Sequence, residues 1–271
     1  MLHKIITNKK QSIFQNLKKL FANKSLILAF VKRDLKIQFA QTYLGILWLV
    51  FQPLLAVTVY TLFFNNFIKL DTGNIPYPVF VFSGILFWQY FLYAVANSST
   101  SLISNQNIIS KIAFPKLIVV ISKPIVGLLS FIINLLILTA LLFFYKIIPT
   151  IYLLSLPIFI LLIYFTGLSF GIWLNSLTLK FRDLQHLMPT IIGYAIWITP
   201  VFYSVAIIPP KMFFIVYLNP VAGIIEWFRW TLFGGEIPSL NYLYGIAFII
   251  IFFILGLIYF NRIEHEIADK V

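Results

Sequence analysis

Glu226 and Arg229 stand three residues apart inside the apolar stretch 221–233. On a helix that spacing puts both on one face, where they can pair. A charge in apolar surroundings is costly, so such an acid is either a functional group or half of a pair that pins its helix. Both readings stay open. The other residues able to do chemistry are scattered. His3, His186 and His265 lie outside the apolar runs, and the chain has no cysteine. No metal-ligand spacing, no Ser/His/Asp grouping and no glycine-rich phosphate cradle with its lysine occurs in the sequence. No catalytic, cofactor-binding or metal-ligating residue is therefore expected, and the chain reads as a non-enzyme.

What remains is binding and movement. Tyr60, Phe63, Phe64 and Phe67 fall within about 100° of one another at the helical period, and Tyr194 and Trp197 have a similar spacing. Aromatic rings stack on the apolar faces of sugars, but they also pack on each other or anchor helices at a membrane surface. The pattern alone does not choose between these roles.

Composition dictates the elements that carry these residues. The chain is 61% hydrophobic and 10% charged, whereas an average soluble domain is about half apolar and about a quarter charged. So few charges cannot cover a water-facing surface, so lipid is the expected solvent. The expected fold is all-α and membrane-integral. Charge-free runs give six spans, at 44–67, 76–96, 124–145, 151–177, 187–207 and 241–260. Between the last two, 209–233 consists of two apolar arms meeting at Asn219-Pro220, each too short to cross. It reads as a re-entrant helical hairpin, which is tolerated at membrane depth where protein or water covers it. Six spans of about 20 residues leave no room in 271 residues for a nucleotide-binding domain. The lysine-rich beginning lacks the pattern of a cleaved signal peptide.

Of the 20 lysines and arginines, all but Lys69, Lys146, Lys211 and Arg229 fall on one side of this arrangement. That side is cytoplasmic by the positive-inside rule, and both termini lie there. Two cytoplasmic segments stand out. Residues 25–41 form an amphipathic surface helix, with Lys32, Arg33 and Lys36 on one arc and Ile27, Val31, Leu35 and Phe39 on another. Lipid anchoring explains most of this pattern, but Asp34, Gln38 and Gln41 form a polar stripe that suits contact with protein. Residues 98–114, rich in Ser and Asn and closed by Phe114-Pro115, read as a short helix that docks on a cytoplasmic partner. Arg-Asp-Leu occurs at 33–35 and again at 182–184; adjacent charges snorkelling at an interface account for both.

Taken in order, a set of short motifs resembles the permease subunit of ABC-2-type exporters, specifically the polysaccharide-export group for O-antigen, capsule or teichoic acid. The first motifs are Lys32-Arg33-Asp34-Leu35-Lys36, Tyr43-Leu44-Gly45, Trp48, Pro53 and Val59-Tyr60. Ser83-Gly84 and Phe114-Pro115 follow, then Arg182-Asp183, Thr199-Pro200-Val201-Phe202-Tyr203, Leu218-Asn219-Pro220 and Glu226-Trp227-Phe228-Arg229. At Gln38-Phe39-Ala40 the family often carries more basic residues.

The resemblance implies a homodimer bound to two copies of a separate ABC ATPase, which holds the ATP and Mg, in a bacterial cytoplasmic (inner) membrane. It assigns ATPase contact to Lys32, Arg33, Asp34 and Gln38 on the surface helix, and to Asn105, Asn107, Lys111 and Phe114 in the coupling segment. It places Tyr60, Phe63, Phe64, Phe67, Tyr194 and Trp197 along the path of a lipid-linked glycan. The hairpin, with Asn219, Pro220, Glu226 and Arg229, becomes an external gate. Membrane lipid is an expected partner and nucleic acid is not. The rivals are an ABC-2 permease for a drug or small lipid and, more distantly, an intramembrane transferase.

Overall fold

The computed structural model describes residues 20, 22–40, 45–63, 73, 75–112 and 114–268. Phe64 and Phe67, Gln41 at the end of the expected surface helix and Leu44 at the start of the expected first span lie outside the described residues.

Eleven helices follow in order among the described residues, with no strand: α1 Lys24–Phe39, α2 Trp48–Tyr60, α3 Tyr77–Ser99, α4 Ser101–Ser104, α5 Gln106–Ile109, α6 Leu117–Phe144, α7 Leu156–Lys180, α8 Leu184–Tyr194, α9 Phe213–Leu218, α10 Pro220–Phe233 and α11 Leu243–Ala268. Four helical runs are long and apolar enough to cross a membrane: α3, α6, 151–180 around α7, and 240–264 around α11. The pair 210–218 and 220–233, bent by 97° at Asn219, makes a fifth if counted as one span. Residues 48–63 are apolar but shorter.

α3 is the centre of the bundle, buried along most of its length between α6, α7 and α10. Its seam with α7 depends on small residues. A Cβ on Gly167 would stand 2.6 Å from Ala94 Cβ, and one on Gly171 would collide with Ser98 Cβ. Two glycines four apart thus face Ala94 and Ser98, also four apart, the close packing that membrane helices use in place of a hydrophobic driving force.

The seam between α3 and α6 is polar at one point. Pro124 lies inside α6 and has no N–H for the carbonyl of Val120, four residues back. Ser98 Oγ donates to that carbonyl at 3.3 Å, and Tyr90 OH donates to Pro124 O at 3.0 Å. At the end of α3, Asn175 Nδ2 of α7 reaches Ser98 O at 2.6 Å and Ser101 Oγ at 3.0 Å, holding the turn into α4. The far end of α11 is tied back by Glu264, which accepts from the backbone N–H of Lys116 at 2.9 Å at the start of α6, where a carboxylate favours the helix dipole.

The structure departs from the sequence reading in three places. α6 begins at Leu117, seven residues before the span expected at Pro124, so Lys123 sits within a helix. The span expected at 187–207 is broken. α8 stops at Tyr194, and a 3-10 turn over Ala195–Trp197 leads into a non-helical stretch to Tyr203. Pro200 explains the break, since it cannot donate and turns the residue before it away from helical geometry. The coupling segment is two short helices, α4 and α5.

Candidate functional site

Non-helical backbone in apolar surroundings must find hydrogen-bond partners inside the protein. The break after α8 finds them in Arg229. From α10, Arg229 Nη1 donates to Pro200 O at 2.6 Å and Glu226 Oε1 at 2.9 Å, and Nη2 to Val201 O at 2.7 Å and Phe80 O at 3.2 Å. Nε donates to Ser83 Oγ at 3.3 Å. All five guanidinium N–H groups are engaged. The group also lies over the Phe80 ring, 3.7 Å from its centroid, and Arg229 is only 5% exposed. Gly84 leaves room for it: a Cβ there would come within 3.0 Å of Nη2. Tyr77 OH, donating to Phe202 O at 2.9 Å, takes the next carbonyl of the break.

Asn219 joins the same centre from the bend between α9 and α10. Its side-chain oxygen accepts from the N–H groups of Val221 and Ala222, capping α10, and its Nδ2 donates to Thr199 Oγ1 at 2.9 Å. Pro220 occupies the first position of α10, where its missing N–H costs nothing. α10 ends at Gly234, whose φ of +73° suits glycine. Glu226 and Arg229 therefore pair, but the acid is one of five partners. Arg229 binds α10 to α3 and to the broken element after α8.

At the opposite end of α3, α1 lies against α6. Asp34 accepts from Lys123 Nζ at 2.7 Å and from Arg33 Nη2 at 2.7 Å, and Arg33 also donates to Asn105 Oδ1 at 2.6 Å. Phe114 packs against Phe30 with ring centroids 5.6 Å apart. Tyr93 OH reaches Gln38 Oε1 at 3.4 Å. Arg33, Asp34, Gln38, Asn105 and Phe114 thus make contacts within the chain, whereas Lys32, Asn107 and Lys111 are exposed. Lys123 escaped sequence reasoning because a lysine looks like the edge of a span. Asp34, four residues before Gln38 in a stripe facing protein, was the signal that a buried cation should be sought.

The aromatic residues divide. Tyr60 packs on Phe202 at 4.4 Å between centroids, and Trp197 meets the same ring at 5.4 Å. Phe63 and Tyr194 are more than half exposed. α8 contributes no fully buried residue, and α2 only Pro53 and Val57.

A model of the family described as ABC-2 type transporter matches residues 25–233, from the first turn of α1 to the end of α10. The chain belongs to the ABC-2 type transporter family. Among curated relatives, two proteins named O-antigen export system permease protein RfbA, both from Klebsiella pneumoniae, are each 31% identical to this ABC-2 chain. They align over 250 and 249 residues, 90% of this chain and 94% of theirs. A protein of the same name from Myxococcus xanthus is 25% identical over 232 residues, 85% of this chain and 88% of its own. Several apolar helices and these permease relatives make this ABC-2 transporter chain a multi-pass membrane protein.

Proposed function

We propose that this chain is the membrane-spanning subunit of an ATP-driven exporter that moves a lipid-linked polysaccharide across the bacterial cytoplasmic membrane. The observation that carries the reading is the 31% identity to O-antigen export permeases, which extends through 90% of the chain. The drug or small-lipid alternative has no such relative on its side. Two copies form the conduit, and a separate ABC ATPase, also in two copies, supplies the energy.

In this reading the chain crosses six times, with both termini cytoplasmic. The first crossing, 44–67, contains the short α2. The broken α8 element is the fifth crossing, and the bent α9–α10 pair is a re-entrant gate at the outer end. α2 and α8 leave most of their surfaces uncovered within one copy, which suits helices that meet a second copy or line the path. His186, Gln185 and Thr190 on α8 are partners that lipid rewards poorly. The exposed Lys32, Asn107 and Lys111 face the ATPase. Arg33, Asp34, Gln38, Asn105 and Phe114 receive its motion through α1, α4 and α5 and pass it through Lys123 to α6. Sugars then slide over Tyr60, Phe63, Phe64, Phe67, Tyr194 and Trp197. Weak stacking tolerates changes of register, so the cargo leaves as readily as it enters.

The test is restoration of surface glycan in a bacterium lacking its own export permease, with copurification from the same cells. Restored export and a stoichiometric ATPase are expected. A chain that copurifies with no ATPase, or that restores drug resistance and no glycan, sinks the reading.

A further inference from the structure

Beside the Arg229 centre, at the end of the bundle away from α1, lies a cavity of about 590 Å³, within the usual range of about 300–1,000 Å³ for small-ligand sites. Its lining includes Glu226, Trp230, Glu236, Ala206 and Tyr242. We propose that it is a saccharide subsite for an uncharged sugar residue, a reading that rests on polysaccharide being the cargo and names a place where one of its sugars pauses.

Three features select the ligand class. Among the described residues the one cation lining the cavity is spent: every N–H of Arg229 is already donated to protein oxygens, so it offers no charged donor to a phosphate or carboxylate. Among the described lining residues the two acids outnumber Arg229 and leave a net negative charge, which repels anionic sugars. Acceptors, by contrast, are available. Glu226 gives Oε1 to Arg229 and keeps a fifth of its side chain exposed. Among the described residues its other oxygen takes no hydrogen bond. Glu236 is exposed. A carboxylate oxygen accepts from sugar hydroxyls, which are donors in pairs on neighbouring carbons.

The third feature is Tyr242, which is 4% exposed. Its hydroxyl lies within electrostatic reach of both Glu226 and Arg229 and makes no hydrogen bond to any described residue. A phenol hydroxyl on a cavity wall with no protein partner is open to exchange a hydrogen bond with a ligand hydroxyl or water. Trp230 completes the set as an aromatic wall. It is held rigid by stacking on Tyr152, 4.5 Å between centroids and 24° between planes. Rigid indole, carboxylates and a phenol around one cavity fit a polyol with apolar ring faces.

The purified protein in lipid nanodiscs is titrated with methyl mannoside, methyl galactoside and N-acetylglucosamine, with mannose 6-phosphate as the anionic probe, and read by saturation-transfer NMR. At least one neutral probe is expected to give signal, and the phosphate none. Ala206→Trp, at an exposed lining position, should fill the cavity and abolish the signal. Tyr242→Phe keeps the packing and should weaken binding by about threefold to tenfold. Size-exclusion profiles check that both variants fold. No signal from any neutral probe, equal binding of the phosphate, or a signal that survives Ala206→Trp overturns the proposal. Surface glycan is scored separately in cells carrying the same variants. A missing NMR signal beside normal export sinks the subsite and spares the exporter. A neutral-probe signal lost in Ala206→Trp, beside a chain unable to export, supports the subsite and sinks the exporter.

Discussion

The seam of α3 with α7 and the pair α2 and α8 are made of the same apolar alphabet but are used in opposite ways. Along the first, glycines let backbones touch, the Asn175 amide takes a carbonyl at the end of α3, and nearly every side chain of α3 is covered. Along the second, a proline lies inside each helix, large rings project outward, and α8 buries nothing fully. Lipid is as apolar as leucine, so hydrophobicity alone cannot make one pair tight and the other loose. Close fit and satisfied backbone groups do. The first pair is a frame, and the second is only loosely packed against it. The Arg229 centre is the clamp that ties the broken end of α8 to that frame.

The largest effect should come from removing the clamp. Arg229→Met leaves Glu226 and the carbonyls of Phe80, Pro200 and Val201 short of donors in a buried site, at a cost of about 3–5 kcal/mol. The variant is expected to unfold at a clearly lower temperature in detergent. Arg229→Lys, with three donors in place of five, should recover only part of the loss. A variant with wild-type unfolding would put the break outside the frame. Next comes the seam itself. Gly171→Val forces a side chain into Ser98, and overpacking of this kind costs about 1–3 kcal/mol. Thermal unfolding should show it, with a smaller loss than for Arg229→Met.

How far each region could be read from sequence follows the same division. The long helices were legible because lipid demands unbroken apolar runs, and α3, α6, α7 and α11 supply them. Lys123 was misplaced because hydropathy ends a span at a charge, and it cannot see that Asp34 on another helix neutralises it. The Glu226–Arg229 pairing was visible at three-residue spacing. The other partners of Arg229 were not, since most are backbone carbonyls and any residue type supplies one. Pro200 was the only mark of the broken helix, and a proline in a membrane helix is as often tolerated as disruptive. The Gly167 and Gly171 spacing lay open in the sequence, but its meaning depends on Ala94 and Ser98 standing opposite.

On the loose side, function and stability should part company. Tyr194 is 68% exposed, so Tyr194→Ala is expected to change stability by no more than about 0.5 kcal/mol. If sugars pass over this ring, export of surface glycan should nevertheless fall. Unfolding temperature and glycan display, measured on the same preparation and strain, make the comparison. Loss of stability without loss of export would make α8 another strut of the frame.

The smallest expected effect is the most discriminating. A Cβ on Gly193, one residue from Tyr194 in the last turn of α8, would meet nothing within 4 Å. Alanine is a better helix former than glycine by about 0.5–1 kcal/mol, so Gly193→Ala should raise the unfolding temperature slightly and leave export unchanged. The same methyl group would be felt at once if a second copy pressed its backbone against this turn, as Gly171 is pressed by Ser98. A slight rise therefore assigns this turn of α8 to open space or lipid in the assembled protein. A fall, accompanied by a shift from dimer to monomer on size-exclusion chromatography, assigns it to a close seam between copies and moves it from the loose class to the tight one.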